Sequence, residues 1–213
     1  MFVRSKMVAN PFTVKPDDTV SEVQALLEKH GIKRVPVMDG SRLVGVVSRE
    51  DIVRASPSKA TSLSMGEITY LLQKTKVRTI MVKHPLFIGP DALLEEAATL
   101  MRDKDVGFLP VMENGKLVGV ITASAIFDSF VDLLGFRSKG TRLTVEAEDR
   151  PGTMEKLGGI FARFDANITH IAVYPGTGST STVVLGINTY NTEEIERVLE
   201  ENKFRVIYRL KNE

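Results

Sequence analysis

The sequence predicts an α/β fold built from two tandem copies of one small unit, followed by an α+β unit of a different kind. Three observations carry this. Residues 3–52 align with residues 77–126 at a constant offset of 74 without a gap, most plainly VPVMDGSRLVGVVSREDI (residues 35–52) against LPVMENGKLVGVITASAI (residues 109–126). Turn chemistry recurs with the apolar pattern, and turns must match a particular chain path where Val and Leu need not. From residue 141 onward the pattern changes to β-α-β-β-α-β. A unit of about fifty residues is too small to bury its own core and stacks on its copy. The cleft between the copies is then the natural ligand site.

In the first copy, residues 12–14 after Asn10-Pro11 form a short extended stretch that Pro16 closes. Asp17 or Asp18 caps a helix over residues 19–30, whose stripe is Val20, Val23 and Leu27 and whose end is Gly31. Residues 35–38 form a buried strand, and Asp39-Gly40 marks a hairpin turn. Residues 43–47 are almost wholly apolar, as in a strand covered on both faces, and Ser48 opens a second helix toward Ala55. The second copy repeats this with Pro85, Pro90, a helix over residues 93–102, a turn at Asn114-Gly115 and a strand over residues 117–121. Between them residues 55–62 read as a polar loop, and residues 66–74 form two turns of helix.

The third unit opens with an alternating strand over residues 142–146 and a turn at Asp149-Arg150-Pro151-Gly152. A helix over residues 153–164 follows, with Leu157, Ile160, Phe161 and Phe164 as its packing face. Strands over residues 168–174 and 180–187, a helix over 192–201 and a strand over 205–210 complete a split βαβ plait with its helices on one face.

Composition narrows the function. The 213 residues are 43% hydrophobic and 26% charged with net charge +1, so no long-range field favours nucleic acid or an anionic membrane. Cysteine is absent, which removes disulfides and thiolate chemistry. No apolar run approaches the ~18 residues of a membrane span, and the first residues do not form a signal peptide, so a cytoplasmic location is expected. His30, His84 and His170 share no metal-ligand spacing, and no nucleophile elbow is present, so no catalytic cofactor and no enzyme activity are expected.

The paired Val/Leu-Pro-Val, the hairpin with Leu-Val-Gly-Val and the Ser/Thr ending that strand resemble a tandem pair of CBS domains, an adenosine-sensing unit. Asp149-Arg150-Pro151-Gly152 and Asn167-Ile168 resemble an ACT domain. The resemblance implies a CBS-domain pair followed by a ferredoxin-like βαββαβ ACT domain. Its parts are a first CBS domain over residues 1–60, a connector over 61–76, a second CBS domain over 77–135 and an ACT-like domain over 141–213. The order is similar to that of the bacterial acetoin-utilisation accessory family, which implies a regulatory link to acetoin breakdown.

Two readings of Ser48 and Asp51 stand together. Ser48 is a good N-cap and Asp51 sits at N3, imitating a capping box. The resemblance implies instead that Ser48 faces ribose or phosphate and that Asp51 binds the ribose hydroxyls. The ligand would be AMP, ADP or ATP, or S-adenosylmethionine. It further implies an adenine wall near Thr13, Val14, Val35 and Pro36, of which Val14 and Val35 are also expected in the core. By their charge His30, Lys33, Arg34 and Arg49 are candidates for phosphate contact, or equally ordinary charged surface. Asp51 corresponds to Ala125 and Ser48 to Thr122, so the second helix keeps its cap and loses the diol acceptor. Lys33 and Arg34 correspond to Gly107 and Phe108, which reads as a further loss of anion binding in the second copy. In the ACT-like part, Gly152 and Asn167 are the candidate amino-acid-binding residues. A homodimer is expected, acting on a protein target that the sequence does not name. The alternatives are a constitutive dimerisation scaffold and an amino-acid sensor working through the ACT-like part.

Overall fold

The computed structural model describes residues 1–57 and 64–213. The loop expected over residues 55–62 therefore lies partly outside the described residues. The chain divides into two compact units, residues 1–126 and 127–213.

The first unit begins with β1 (Val8–Ala9), α1 (Val20–His30), the hairpin β2 (Arg34–Asp39) and β3 (Arg42–Ser48), and α2 (Arg49–Ala55). The cap of α1 is Thr19 and not Asp17 or Asp18. Its hydroxyl accepts the Glu22 N–H at 3.2 Å, and the Glu22 carboxylate accepts the Thr19 N–H at 2.7 Å. Asp18 is occupied upstream, accepting the Lys15 N–H at 2.7 Å, and Asp17 pairs with Arg78. Gly31 closes α1 in the left-handed region at φ 63°, where a Cβ would be strained. The connecting helix α3 (Met65–Lys74) starts on a Ser64–Glu67 capping box.

The second copy supplies β4 (Val82–Lys83), α4 (Leu94–Asp103), the hairpin β5 (Phe108–Glu113) and β6 (Lys116–Thr122), and α5 (Ala123–Leu133), which runs on past the unit boundary. The hairpin turn has Asn114 and Gly115 both at positive φ, the geometry that matches strand twist.

The copies exchange their entry segments. β1 pairs with β6 of the second copy through Val8↔Val120 and Ala9↔Gly119, and β4 pairs with β3 of the first through Val46↔Val82 and Gly45↔Lys83. Two sheets of three strands result, ordered β1-β6-β5 and β2-β3-β4. The exchange extends upstream of the strands. The Val3 N–H donates to the Ala92 carbonyl at 2.9 Å, and the Val77 N–H donates to the Asp18 carbonyl at 3.0 Å. Val3 is buried in the core of Leu94, Leu109, Val111 and Ile121, whereas Val77 is buried in the core of Val20, Leu27, Val35 and Val47. A two-residue strand has no stability of its own, so each copy's entry is held by the other's hairpin.

In the second unit, β7 (Gly140–Glu148), α6 (Thr153–Arg163), β8 (Ile168–Pro175), β9 (Thr180–Ile187), α7 (Glu193–Glu201) and β10 (Arg205–Asn212) form the expected plait. Its antiparallel sheet is ordered β10-β7-β9-β8. Inward residues of β7 and β9, among them Leu143, Val145, Val183 and Leu185, pack with Leu157, Phe161 and Leu199 of the helices. Phe164, expected on the packing face of α6, caps the helix instead and is 38% exposed.

Gly45 and Gly119 are the points of closest approach in the exchange. A Cβ on Gly119 would stand 2.6 Å from Met7 Sδ and 3.1 Å from the Val8 carbonyl oxygen. Gly119→Ala is expected to destabilise the chain by about 1–3 kcal/mol in urea unfolding, as overpacking does. Adding Met7→Ala should recover part of that loss, because the side chain, unlike the backbone, can be removed.

Candidate functional site

The exchange builds two clefts related by the repeat offset. Each has the end of one copy's hairpin and the start of its following helix on one side, and the entry segment of the other copy on the opposite side. In the first cleft, of about 540 Å³, Val46, Ser48, Glu50, Asp51 and Arg54 face Val82, His84, Pro85 and Leu86. Asp105, Val106, Gly107, Phe108 and Arg34 complete it. In the second, of about 470 Å³, Val120, Thr122, Ala123 and Ser124 face Val8, Asn10, Pro11 and Phe12, with residues 31–34, Pro36, Gly107 and Phe108.

Ser48 and Asp51 form the capping box that the sequence suggests. Asp51 Oδ2 accepts from the Ser48 N–H at 2.9 Å and from the Ser48 hydroxyl at 2.6 Å, while the Asp51 N–H donates to Ser48 Oγ at 3.1 Å. Oδ1 is outside the box and lies 3.8 Å from Arg54 Nη1. The Asp51 side chain is 11% exposed and borders the first cleft. The box therefore occupies one carboxylate oxygen and leaves acceptor capacity on the other. In the second copy the Thr122 hydroxyl still accepts the Ala125 N–H, at 3.2 Å, with no carboxylate to reciprocate.

Arg34 stands where the two clefts meet and borders both. Its Nη2 lies 3.8 Å from Glu50 Oε2, and its guanidinium passes beside Gly107, where a Cβ would stand 3.8 Å from Nη1 in ordinary contact. The Glu50 carboxyl is held below the ordinary carboxylate range. The leading cause is a hydrogen bond from its own backbone N–H; the Ser48 hydroxyl, Arg34 and Lys33 add to it, and burial opposes it.

The other sequence candidates are dispersed. Val14 and Val35 are core residues, 6% and 1% exposed. Thr13 borders a separate surface groove with Ser41 and Lys116, and Pro36 lines the second cleft. Arg49 turns into a third cavity between α1, α2 and α3, away from Asp51. Lys33 lines the second cleft and not the first, so the expected loss of anion-binding groups from the second site is reversed. His30 is stacked on Phe12 with ring centroids 3.9 Å apart. The wall opposite Ser48 and Asp51 comes from the second copy. His84, Pro85 and Leu86 were accordingly missed. The available signal was the repeat itself, since these residues match Asn10, Pro11 and Phe12.

In the second unit, Gly152 precedes α6 at φ 85° and borders a groove with Arg150, Lys156 and Lys203. Asn167 is not among that groove's walls; its backbone N–H donates to Asn188 Oδ1 at 2.8 Å. The structure does not bring these two candidates into one site. Among the described residues no group of three or more His, Asp or Glu side chains is placed to hold a metal ion, and no helix is long and apolar enough to cross a membrane.

The CBS domain model matches residues 3–58 and 77–132, and the ACT domain model matches residues 141–203. Inosine-5′-monophosphate dehydrogenase of Korarchaeum cryptofilum is 30% identical over 169 residues, covering 79% of this chain; the chain spans only 32% of that enzyme. A CBS domain-containing protein of Dictyostelium discoideum is 31% identical over 136 residues, 63% of this chain and 94% of its own length. Among solved structures, the Vibrio cholerae protein assigned to acetoin utilization, AcuB, aligns with TM-score 0.53 and 28% identity over 64% of this chain and 94% of its own. CBSX2 of Arabidopsis thaliana, solved in complex with AMP, aligns with TM-score 0.50 and 29% identity over 62% of this chain and 96% of its own. The chain belongs to the CBS-domain family, with two CBS domains followed by an ACT domain.

Proposed function

We propose that the chain is a regulatory protein whose first cleft takes an adenosine phosphate. The observation that carries this reading is Asp51 Oδ1 at the cleft wall, outside the capping box and met only by Arg54 at 3.8 Å, with the Arg34 guanidinium on the same cleft. Oδ1 accepts one ribose hydroxyl while Oδ2 stays in the capping box. Arg34, drawn off its 3.8 Å contact with Glu50, meets the phosphate in charge-assisted bonds. Val82, Pro85 and Leu86 give the base an apolar wall. The similarity to a CBS protein solved with AMP supports the ligand class.

Charge narrows the choice within that class. The cleft wall holds the carboxylates of Glu50, Asp51 and Asp105 against the guanidinium groups of Arg34 and Arg54. A triphosphate would add several negative charges beside three carboxylates, whereas a monophosphate needs only the cation at the seam. AMP is therefore favoured over ADP and ATP, and a cationic sulfonium such as S-adenosylmethionine is tolerated. Occupancy controls a partner only if the ligand binds one arrangement of the copies more tightly than another. The similarity to AcuB makes acetoin breakdown the pathway to examine for that partner.

Titration calorimetry should show AMP binding to the whole chain about tenfold weaker in Asp51→Ala, the loss of ~1.4 kcal/mol expected for a charged hydrogen bond. Unchanged affinity removes Asp51 from the site. Ser48→Ala, without ligand, should lower unfolding free energy by about 0.5–2 kcal/mol through loss of the helix cap. Arg34→Gln should abolish the preference for AMP over adenosine while leaving adenosine binding in place; a preference that persists assigns the phosphate to another cation.

A further inference from the structure

We propose that the second cleft is a site for an organic anion with an apolar, ring-sized body, and that Arg34 sets its occupancy against that of the first cleft. The repeat makes the two clefts a controlled comparison. At matched positions the three carboxylates of the first, Glu50, Asp51 and Asp105, become Ser124, Ala125 and Gly31. Gly107 becomes Lys33. The second cleft thus has Lys33 and Arg34 on its wall and no carboxylate, which inverts the sign of its field. Lys33 makes no close ion pair among the described residues and acts on the Glu50 carboxylate of the first cleft only at longer range, so an incoming anion competes with that attraction alone.

The rest of the second cleft is apolar. Val8 and Phe12 are 61% and 50% exposed, and Phe108 and Val120 lie behind them. The Phe12 ring is held in place by its stack on His30. Exposed apolar side chains gathered in a concave wall gain by covering, by about 25 cal/mol per Å² of apolar area removed from water. The acceptor for a ribose diol is missing, because Ala125 stands where Asp51 stands in the other copy. The chemistry left is an apolar plate beside two cations, which selects an aromatic or alicyclic carboxylate, sulfonate or phosphate and not a nucleoside.

Arg34 borders both clefts and its counterpart is Phe108, so a single guanidinium serves two sites. An anion that holds it in the second cleft withdraws it from a phosphate in the first. This coupling rests on the nucleotide reading of the first cleft; the second site does not.

The probe is 8-anilinonaphthalene-1-sulfonate, titrated by fluorescence into the full-length chain, with uncharged N-phenyl-1-naphthylamine as control. One saturable sulfonate site per chain is expected. Lys33→Met should weaken the sulfonate about tenfold, as loss of a charge-assisted contact does, and leave the uncharged dye unchanged. Ser124→Trp, which fills the second cleft from an exposed position, should abolish sulfonate binding, while Leu86→Trp in the first cleft should not. Saturating AMP should weaken the sulfonate several-fold in the wild type and not in Arg34→Met. Absence of a saturable site, or equal binding in wild type, Ser124→Trp and Lys33→Met, overturns the proposal. Displacement by AMP that persists in Arg34→Met overturns the coupling. If AMP fails to bind while the sulfonate series behaves as stated, the nucleotide reading falls and the second site stands.

Discussion

The exchange of entry segments between the two CBS copies is the constraint on which the clefts depend. β1 and β4 are two residues each, too short to persist alone, and each is held on the hairpin of the opposite copy. Val3 and Val77 extend the exchange into the hydrophobic cores, so neither copy has a complete core without the other's leading residues. A small unit that borrows part of its core cannot open independently of its neighbour. Clefts walled by both copies are therefore the places where a ligand can report on, or alter, the way the copies pack.

Near-symmetry of the backbone does not carry over to the chemistry. The hairpins, turns and caps superpose in sequence position, yet one cleft is lined by the carboxylates of Glu50, Asp51 and Asp105 and the other is cationic and apolar. The differences fall at the residues flanking the conserved scaffold positions of the two copies: Arg34 against Phe108, Lys33 against Gly107, Asp51 against Ala125. Most of these residues line the clefts, outside the two core clusters, so the copies can differ there while the shared hairpins are kept.

Local structure was legible in the sequence because local chemistry decides it. The repeat, the hairpin at Asn114-Gly115, the cap at Ser48 and the β-α-β-β-α-β order all rest on residues a few positions apart. Residue type alone does not fix the cap of α1, because Asp17, Asp18 and Thr19 are all competent, and only Thr19 has Glu22 at the reciprocal position. The opposing wall of each cleft is not legible locally, since it is set by pairings between distant residues, Val46 with Val82 and Val8 with Val120, that leave no local signature. Thr13, Val14, Val35 and Pro36 are implied as an adenine wall by the family resemblance alone, and none of them lines the cleft beside Asp51. Exchange puts Val82, His84, Pro85 and Leu86 there instead. Asp51 itself was read in two ways, as cap and as ligand group, and the geometry accommodates both because its two oxygens are differently engaged.

A crystal structure of the full-length chain grown with AMP tests the account most directly. The account predicts one nucleotide per chain in the acidic cleft, a ribose hydroxyl on Asp51 Oδ1 with the Ser48 box intact, and the phosphate on Arg34. Nucleotide found among Val8, Phe12 and Lys33, or a sugar that leaves Asp51 untouched, would contradict it.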